Sequence, residues 1–355
     1  MVGTAKRAAI GTLVVIGIVV AALALWKLKV VLALVFLGVI IAAAIRPGIE
    51  ALRRRGIPRG AGLLIHYVAI FGFVALLLWI AVPRALHQVE AALGTNGLPT
   101  KASDLEPAAR SSHGVKHTIL VAIQKRLEHL PRASSIVNRT VSIGLKAFEI
   151  LIAIFFTFAT AAYWIFERDR TVDFVASLLP RPKRKVMRDT WHLIDLKLGA
   201  FVRGECLLIL LVGVVLSLLF LAVGEPYWIL IGAFAGIVEI VPVIGPLAAG
   251  ALAIAVGLTD SWHTALYAGL CVLGVRLAED YLIVPRVLGD AVGLSPLLVL
   301  VSVTSVGILF GGFAVVLAVP IAAVVVTLVD VIVRERDPAA EDVPTVLFPA
   351  KEVEN

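Results

Sequence analysis

Glu239, Arg276, Glu279 and Asp280 stand inside apolar runs in the second half of the chain. A charged side chain facing hydrocarbon at mid-helix costs about 2.5–3.5 kcal/mol on insertion scales, so such groups pair or face water. Glu239 lies in the run from Gly232 to Pro246, beside a break formed by Pro242, Gly245 and Pro246. Proline lacks an N–H and clashes with the turn before it, so a helix entering this run is expected to kink or stop. Backbone groups freed at membrane depth are tolerated only where protein or a water-filled cavity receives them. Glu239 is therefore expected at the edge of such a cavity. In the run from Thr264 to Leu288, Arg276 precedes Glu279 by three residues and Asp280 by four, a helical spacing that lets cation and acid share a face. Pro285 and Gly289 follow as a second break. Two kinds of chemistry suit this set: a proton or small cation taken up by a carboxylate, or a structural ion pair that locks two helices.

The elements that position these residues are membrane helices. The 355-residue chain is 60% hydrophobic and 16% charged, with a mean hydropathy of +1.00, against about 45–50% apolar residues in a soluble domain. That composition is expected of an all-α polytopic membrane protein. The net charge of +7 gathers between apolar runs without any nucleic-acid motif, so lipid headgroups, including anionic ones, are its expected partners rather than nucleic acid. Cys206 and Cys271 both fall in apolar runs and are expected as buried small hydrophobes, not a disulfide. His113 and His117 have i,i+4 spacing but lie in a polar stretch without a third ligand, so no metal and no cofactor is expected. Nucleophilic triads, phosphate-binding loops, zinc-protease helices and dinucleotide motifs are missing from the sequence, which argues against an enzyme.

Apolar segments near the roughly 20 residues needed for a ~30 Å hydrocarbon core fall at 9–26, 30–45, 62–82, 147–166 and 201–222. Lys6 and Arg7 precede the first, which is too long for a signal peptide and is expected to be retained. Two strongly basic loops, one with Arg46, Arg53, Arg54, Arg55 and Arg59 and one running from Arg168 to Lys197, point to the cytoplasmic side and put the N-terminus there too. Residues 1–83 thus form N-terminal membrane segments, 84–146 a polar, extracytoplasmic helical insertion, 147–334 the membrane core and 335–355 a poorly ordered cytoplasmic tail. Within the core, 186–198 reads as a short interfacial helix, and Arg203, Gly204 and Glu205 are expected at a cytoplasmic mouth, Arg203 snorkelling or meeting an anionic group. Residues 228–258 are either a kinked sixth span or a re-entrant hairpin with Pro242 to Pro246 at its tip. The stretch 295–333, which opens at Pro296, is too long for one span and is divided by Gly311, Gly312 and Pro320. About eight membrane segments result. Gly232 with Gly236, and Gly307 with Gly311, make small-xxx-small pairs that permit close helix contact.

In order along the chain, Phe201-Val-Arg-Gly-Glu-Cys-Leu207, Glu239-Ile-Val-Pro-Val-Ile-Gly-Pro246, Glu279-Asp-Tyr-Leu-Ile-Val-Pro-Arg-Val-Leu-Gly289, Val292-Gly-Leu-Ser-Pro296, Gly311 and Ala318-Val-Pro320 resemble the AI-2E family of bacterial and archaeal permeases, also called PerM-like. The resemblance implies about eight membrane segments, an insertion between the third and fourth, and transport of small solutes, with some members associated with export of autoinducer-2 and others with sodium–proton exchange. It also implies a homo-oligomer in the cell inner membrane. Family members often carry a polar residue after the acid matching Glu205, where this chain has Cys206, so the resemblance leaves the solute open. On this reading the expected function is a secondary transporter or exporter of a small polar solute. Glu239 and Asp280 are then coupling carboxylates for protons or sodium, and Arg276 restrains a carboxylate or meets the solute. A passive pore and a structural or lipid-binding membrane protein are the alternatives.

Overall fold

Backbone N–H and C=O groups find no water inside a bilayer, so a chain this apolar must satisfy them within helices. The computed structural model describes residues 2–93, 110, 121, 133–242, 244–283, 294–341 and 343. Among these it contains ten α-helices and no strand: α1 (Val2–Lys27), α2 (Lys29–Arg54), α3 (Arg59–Leu93), α4 (Ala133–Ser177), α5 (Arg181–Ala222), α6 (Trp228–Val238), α7 (Ile244–Gly257), α8 (Trp262–Ala278), α9 (Pro296–Phe310) and α10 (Ala318–Ile332). A π turn at Glu279–Ile283 extends α8, and a 3₁₀ turn at Gly312–Leu317 leads into α10. Five stretches are long and apolar enough to cross a membrane, namely Lys29–Arg54, Arg59–Gln88, Gly144–Ser177, Arg181–Ala222 and Gly312–Ile332. Shorter apolar stretches at Gly11–Lys27, Trp228–Val238, Ile244–Gly257 and Pro296–Phe310 add to these. The molecule is an all-α polytopic membrane protein.

Several helices outrun the apolar segments that mark them. α2 passes through Pro47 and α3 through Pro83. The short helix expected at 186–198 and the fifth span are one continuous 42-residue helix, α5, about 63 Å long. Its N-terminal part therefore projects well beyond a hydrocarbon core. Most of the polar insertion, with His113 and His117, lies outside the described residues, as do Pro285 and Gly289.

α6 and α7 settle the form of the broken run. At 11 and 14 residues they measure about 16 and 21 Å, each too short for a ~30 Å core. They pack side by side as a hairpin rather than continuing as one kinked helix. Glycine makes the return possible: a Cβ on Gly245 would fall on the Val238 carbonyl. Along α5, Gly236 packs with its Cβ position 2.7 Å from the Ile209 carbonyl oxygen and 2.8 Å from Gly213 Cα. At the other end, the Cβ position of Gly257 is 2.6 Å from Ala265 Cα on α8. These close seams enclose a core of Val212, Leu216, Phe220, Ile231, Ala235, Ala249, Ala253, Ala268 and Val275. The hairpin tip reaches the last helices through Val241, which packs against Val303, Val306, Ala314 and Ala318.

The final apolar stretch divides at Gly311, whose φ of +93° stops α9. Pro296 begins α9 after the Ser295 cap, and Pro320 falls in the first turn of α10, where its missing N–H costs nothing. Two expectations are corrected. Cys206 is exposed and Cys271 half-buried, both free thiols, because the α5 face at 206 turns away from the core while the expectation took an apolar run as buried throughout. The tail is not loose at its start: Pro338 and Val343 are buried, and Glu341 bonds the buried Lys197 ammonium at 2.6 Å. An ammonium inside the bundle needs an anion, and the tail supplies it.

At the end of the bundle carrying both basic loops, Asp195 of α5 receives Arg168 Nε at 2.6 Å and lies 3.7 Å from Arg46, tying α2, α4 and α5 together. Asp195→Ala is expected to lower stability by about 3 kcal/mol by removing the buried anion of the Arg168 guanidinium, which then keeps, among the described residues, only the exposed Asp169 at 3.0 Å. A melting curve in detergent matching the wild type would show that this clasp contributes nothing.

Candidate functional site

Each of the charged residues singled out above is placed by a distinct local device. Glu239 is the C-terminal cap of α6, its N–H donating to the Ala235 carbonyl at 3.2 Å. From there the chain turns tightly: Val241 N–H donates to the Val238 carbonyl at 3.0 Å, and Gly245 N–H to the Val241 carbonyl at 2.8 Å. Pro242 lies within that turn, while Gly245 and Pro246 sit in the first turn of α7, where an absent N–H is harmless. Arg276 is in the last turn of α8, and Glu279 and Asp280 open the π turn that follows. That turn widens the helix at a functional-looking position, as π turns commonly do.

The fold-back brings these pieces together. Arg276 Nη1 donates to Glu239 Oε1 at 3.3 Å and to Glu279 Oε2 at 3.2 Å, and Nη2 pairs with Asp280 Oδ1 at 2.9 Å. The i,i+3 and i,i+4 spacing thus delivers both acids to one guanidinium, and the hairpin tip adds a third. Glu239 is 6% exposed and Glu279 4%, whereas the side chains of Arg276 and Asp280 are 32% and 45% exposed. The cluster has a sealed half and an open half. The Glu239 and Glu279 carboxyls thus meet at one Arg276 nitrogen, Nη1.

Glu205 joins this group. It is half-buried on α5 and near enough to act electrostatically on both Glu239 and Glu279. Its neighbours part company with it: Gly204 is buried, and Arg203 Nη1 donates to the Ala44 carbonyl of α2 at 3.1 Å. Along α5, Glu205 lies about 15 Å from the Asp195 clasp and about 26 Å from the end of the helix. Glu205 stood among the residues expected at a mouth, and its place beside the Arg276 cluster could not be read from helical spacing.

Chemically, one guanidinium faces three carboxylates, with a fourth close by. In a low-dielectric setting such an excess of negative charge calls for a proton or a small cation. The broken backbone at 239–243 adds polar groups of the kind that line transporter sites where helices are interrupted.

The family model described as "AI-2E family transporter" matches residues 13–334. The chain is similar to "Putative transport protein YrrI" of Bacillus subtilis (strain 168), at 22% identity over 84% of this chain and 85% of that one. It is similar also to "Putative transport protein YueF" of the same organism, at 26% identity over 79% and 78%. A third relative, "Putative transport protein" of Methanothermobacter thermautotrophicus, is 25% identical over 61% of this chain and 63% of its own length. A match that runs from the first span to the end of the last helix embraces the fold-back hairpin and all the clustered charges, and the chain belongs to the AI-2E transporter family.

Proposed function

We propose that this protein is a secondary transporter that exports a small polar solute along a path beside the α6–α7 hairpin, driven by protons or sodium. The observation that carries the reading is the Arg276 guanidinium held between Glu239, on the hairpin tip, and Glu279 and Asp280, on the turn after α8. A cation entering this group changes the charge balance between two interrupted elements, and a change of charge at such a junction can shift their packing. In this cycle Glu239 and Asp280 take and release the coupling ion, Glu205 shapes the local field, and Arg276 holds the empty site together. Gly245, Pro242 and Pro246 supply the bend, and Gly311 frees α9 from α10.

Both basic loops meet at the Arg46, Arg168 and Asp195 clasp, which supports a cytoplasmic position for that end under the positive-inside bias. It follows that N- and C-termini are cytoplasmic, that the membrane is the inner one and that anionic lipids bind the basic loops. A homo-oligomer suits the extensive apolar surface of α1 and α3.

Glu239→Gln in proteoliposomes is expected to cut gradient-driven flux by about 10-fold or more, because a charge-assisted contact of about 1.5–3 kcal/mol is lost. Asp280→Asn, at the open half, is expected to cost less. The assay compares a solute panel that includes autoinducer-2 under imposed proton and sodium gradients. Unchanged uphill flux in both variants, with normal insertion, would remove the coupling role, and flux that no gradient can drive uphill would point to a pore.

A further inference from the structure

At the far end of the hairpin, the turn between α5 and α6 seals an acid that the coupling site does not use. Gly224 takes φ +73°, and Glu225 N–H donates to the Phe220 carbonyl at 2.8 Å. In this helix-ending pattern, the residue after the glycine usually lays an apolar side chain back on the helix. Here that residue is a glutamate. Glu225 is 2% exposed, and both of its carboxylate oxygens are buried without a hydrogen-bond partner. Oε2 rests in the crook where α7 ends and α8 begins, 3.0 Å from the Cβ position of Gly257.

A sealed carboxylate with no partner is costly when ionised and far less so when neutral. The titratable groups that bear on Glu225 are Asp260, from the turn between α7 and α8, and the Cys271 thiol of α8. Both are acids, so neither supplies positive charge. A single carboxyl whose two oxygens have no partner suits a proton. The turn is also strained, since Tyr227 adopts a left-handed φ of +59° without a glycine's freedom.

We propose that Glu225 is a proton-binding site that latches the α5–α6 turn into the α7–α8 turn. With the proton bound, the neutral carboxyl stays in the crook. Without it, the carboxylate leaves for water and the two turns part, loosening the root of the hairpin whose tip carries Glu239. Burial, helped by the Asp260 charge, pushes the Glu225 carboxyl from 4.5 up to about 7. The sign follows from linkage: a raised pKa in the docked state favours docking fully below about pH 4.5, and the advantage is lost as pH rises to about 7. The apolar core around Phe220, Ile231 and Ala253 separates the latch from the Arg276 cluster, so the two sites can be tested apart.

The test uses the full chain in lipid nanodiscs. Hydrogen exchange of the backbone amides at 223–227 and 258–265, corrected for the intrinsic pH dependence of exchange, is compared at about pH 5 and pH 8, alongside the infrared carboxylic-acid signal. The wild type is expected to lose protection roughly tenfold or more across that range and to lose one protonated-carboxyl band. Glu225→Gln, and Glu225→Leu, which suits the apolar slot, are expected to stay protected at both pH values and to lack that band. An unchanged wild type, or variants that respond to pH as the wild type does, would overturn the proposal. Suppression of the pH response by sodium would assign the carboxylate to a metal cation and overturn it as well.

Discussion

Arg276→Ala is expected to be the most damaging single change in the molecule, lowering stability by about 3–5 kcal/mol, the cost of removing one partner from a buried ion pair, and abolishing gradient-driven flux. The reason lies in the division of labour at the guanidinium. Nη1 serves Glu239 and Glu279, and Nη2 serves Asp280. Without it, two carboxylates that are almost sealed from solvent face each other with no cation between them. Arg276→Lys keeps the charge but not the two-pronged geometry, and a single ammonium cannot take both places, so an intermediate loss is expected. Adding Glu239→Gln to Arg276→Ala removes one of the stranded charges and is expected to restore part of the stability while flux stays lost. Melting curves in detergent and flux in proteoliposomes read the two effects separately. If Arg276→Ala melts with the wild type, the cluster does not hold the hairpin to α8.

Gly236→Leu is the second large effect. A Cβ at Gly236 would stand 2.7 Å from the Ile209 carbonyl oxygen and 3.1 Å from Gly213 N on α5. Both are backbone atoms, so no side chain can swing aside and the helices themselves must separate. Overpacking usually costs about 1–3 kcal/mol, and a backbone seam places this site at or above the upper end. Because α6 carries Glu239 at its end, parting α6 from α5 also withdraws Glu239 from Arg276, and flux is expected to fall with stability. Gly274→Ala is the control: a Cβ there meets nothing within 4 Å, and alanine is the better helix former by about 1 kcal/mol. A Gly236→Leu protein that folds and transports normally would mean that the α5–α6 seam is not needed.

The pairing of Arg276 with Glu279 and Asp280 was legible in the sequence because helical spacing alone delivers it. The contribution of Glu239 was legible only as a suspicion, raised by a carboxylate beside Pro242 in an apolar run. Its contact with Arg276 spans 37 residues of sequence and exists because glycines let α6 return against α7 and lean on α5. The company Glu205 keeps with Glu239 and Glu279 was not legible, since a sequence shows which residues share a helix but not which other segment passes beside it. Glu225 does not stand out in the sequence. A loop glutamate usually faces water, and its sealing depends on where the α7–α8 turn happens to lie. The tail failed in the same way: a polar stretch reads as loose until a buried lysine on another helix claims one of its acids.

By itself the sequence determined what local physics controls: an all-α membrane protein, where its apolar segments lie, where helices must break, and which charges share a turn. Apolar content and proline act on the residues that carry them, so they can be read without a fold. Only the tertiary structure decided that the broken run folds back, that it lays Glu239 on Arg276 beside Glu205, and that Glu225 is shut into a crook. Those outcomes depend on backbone seams between distant segments, where a missing Cβ lets two helices approach and thereby chooses which buried charges must face one another.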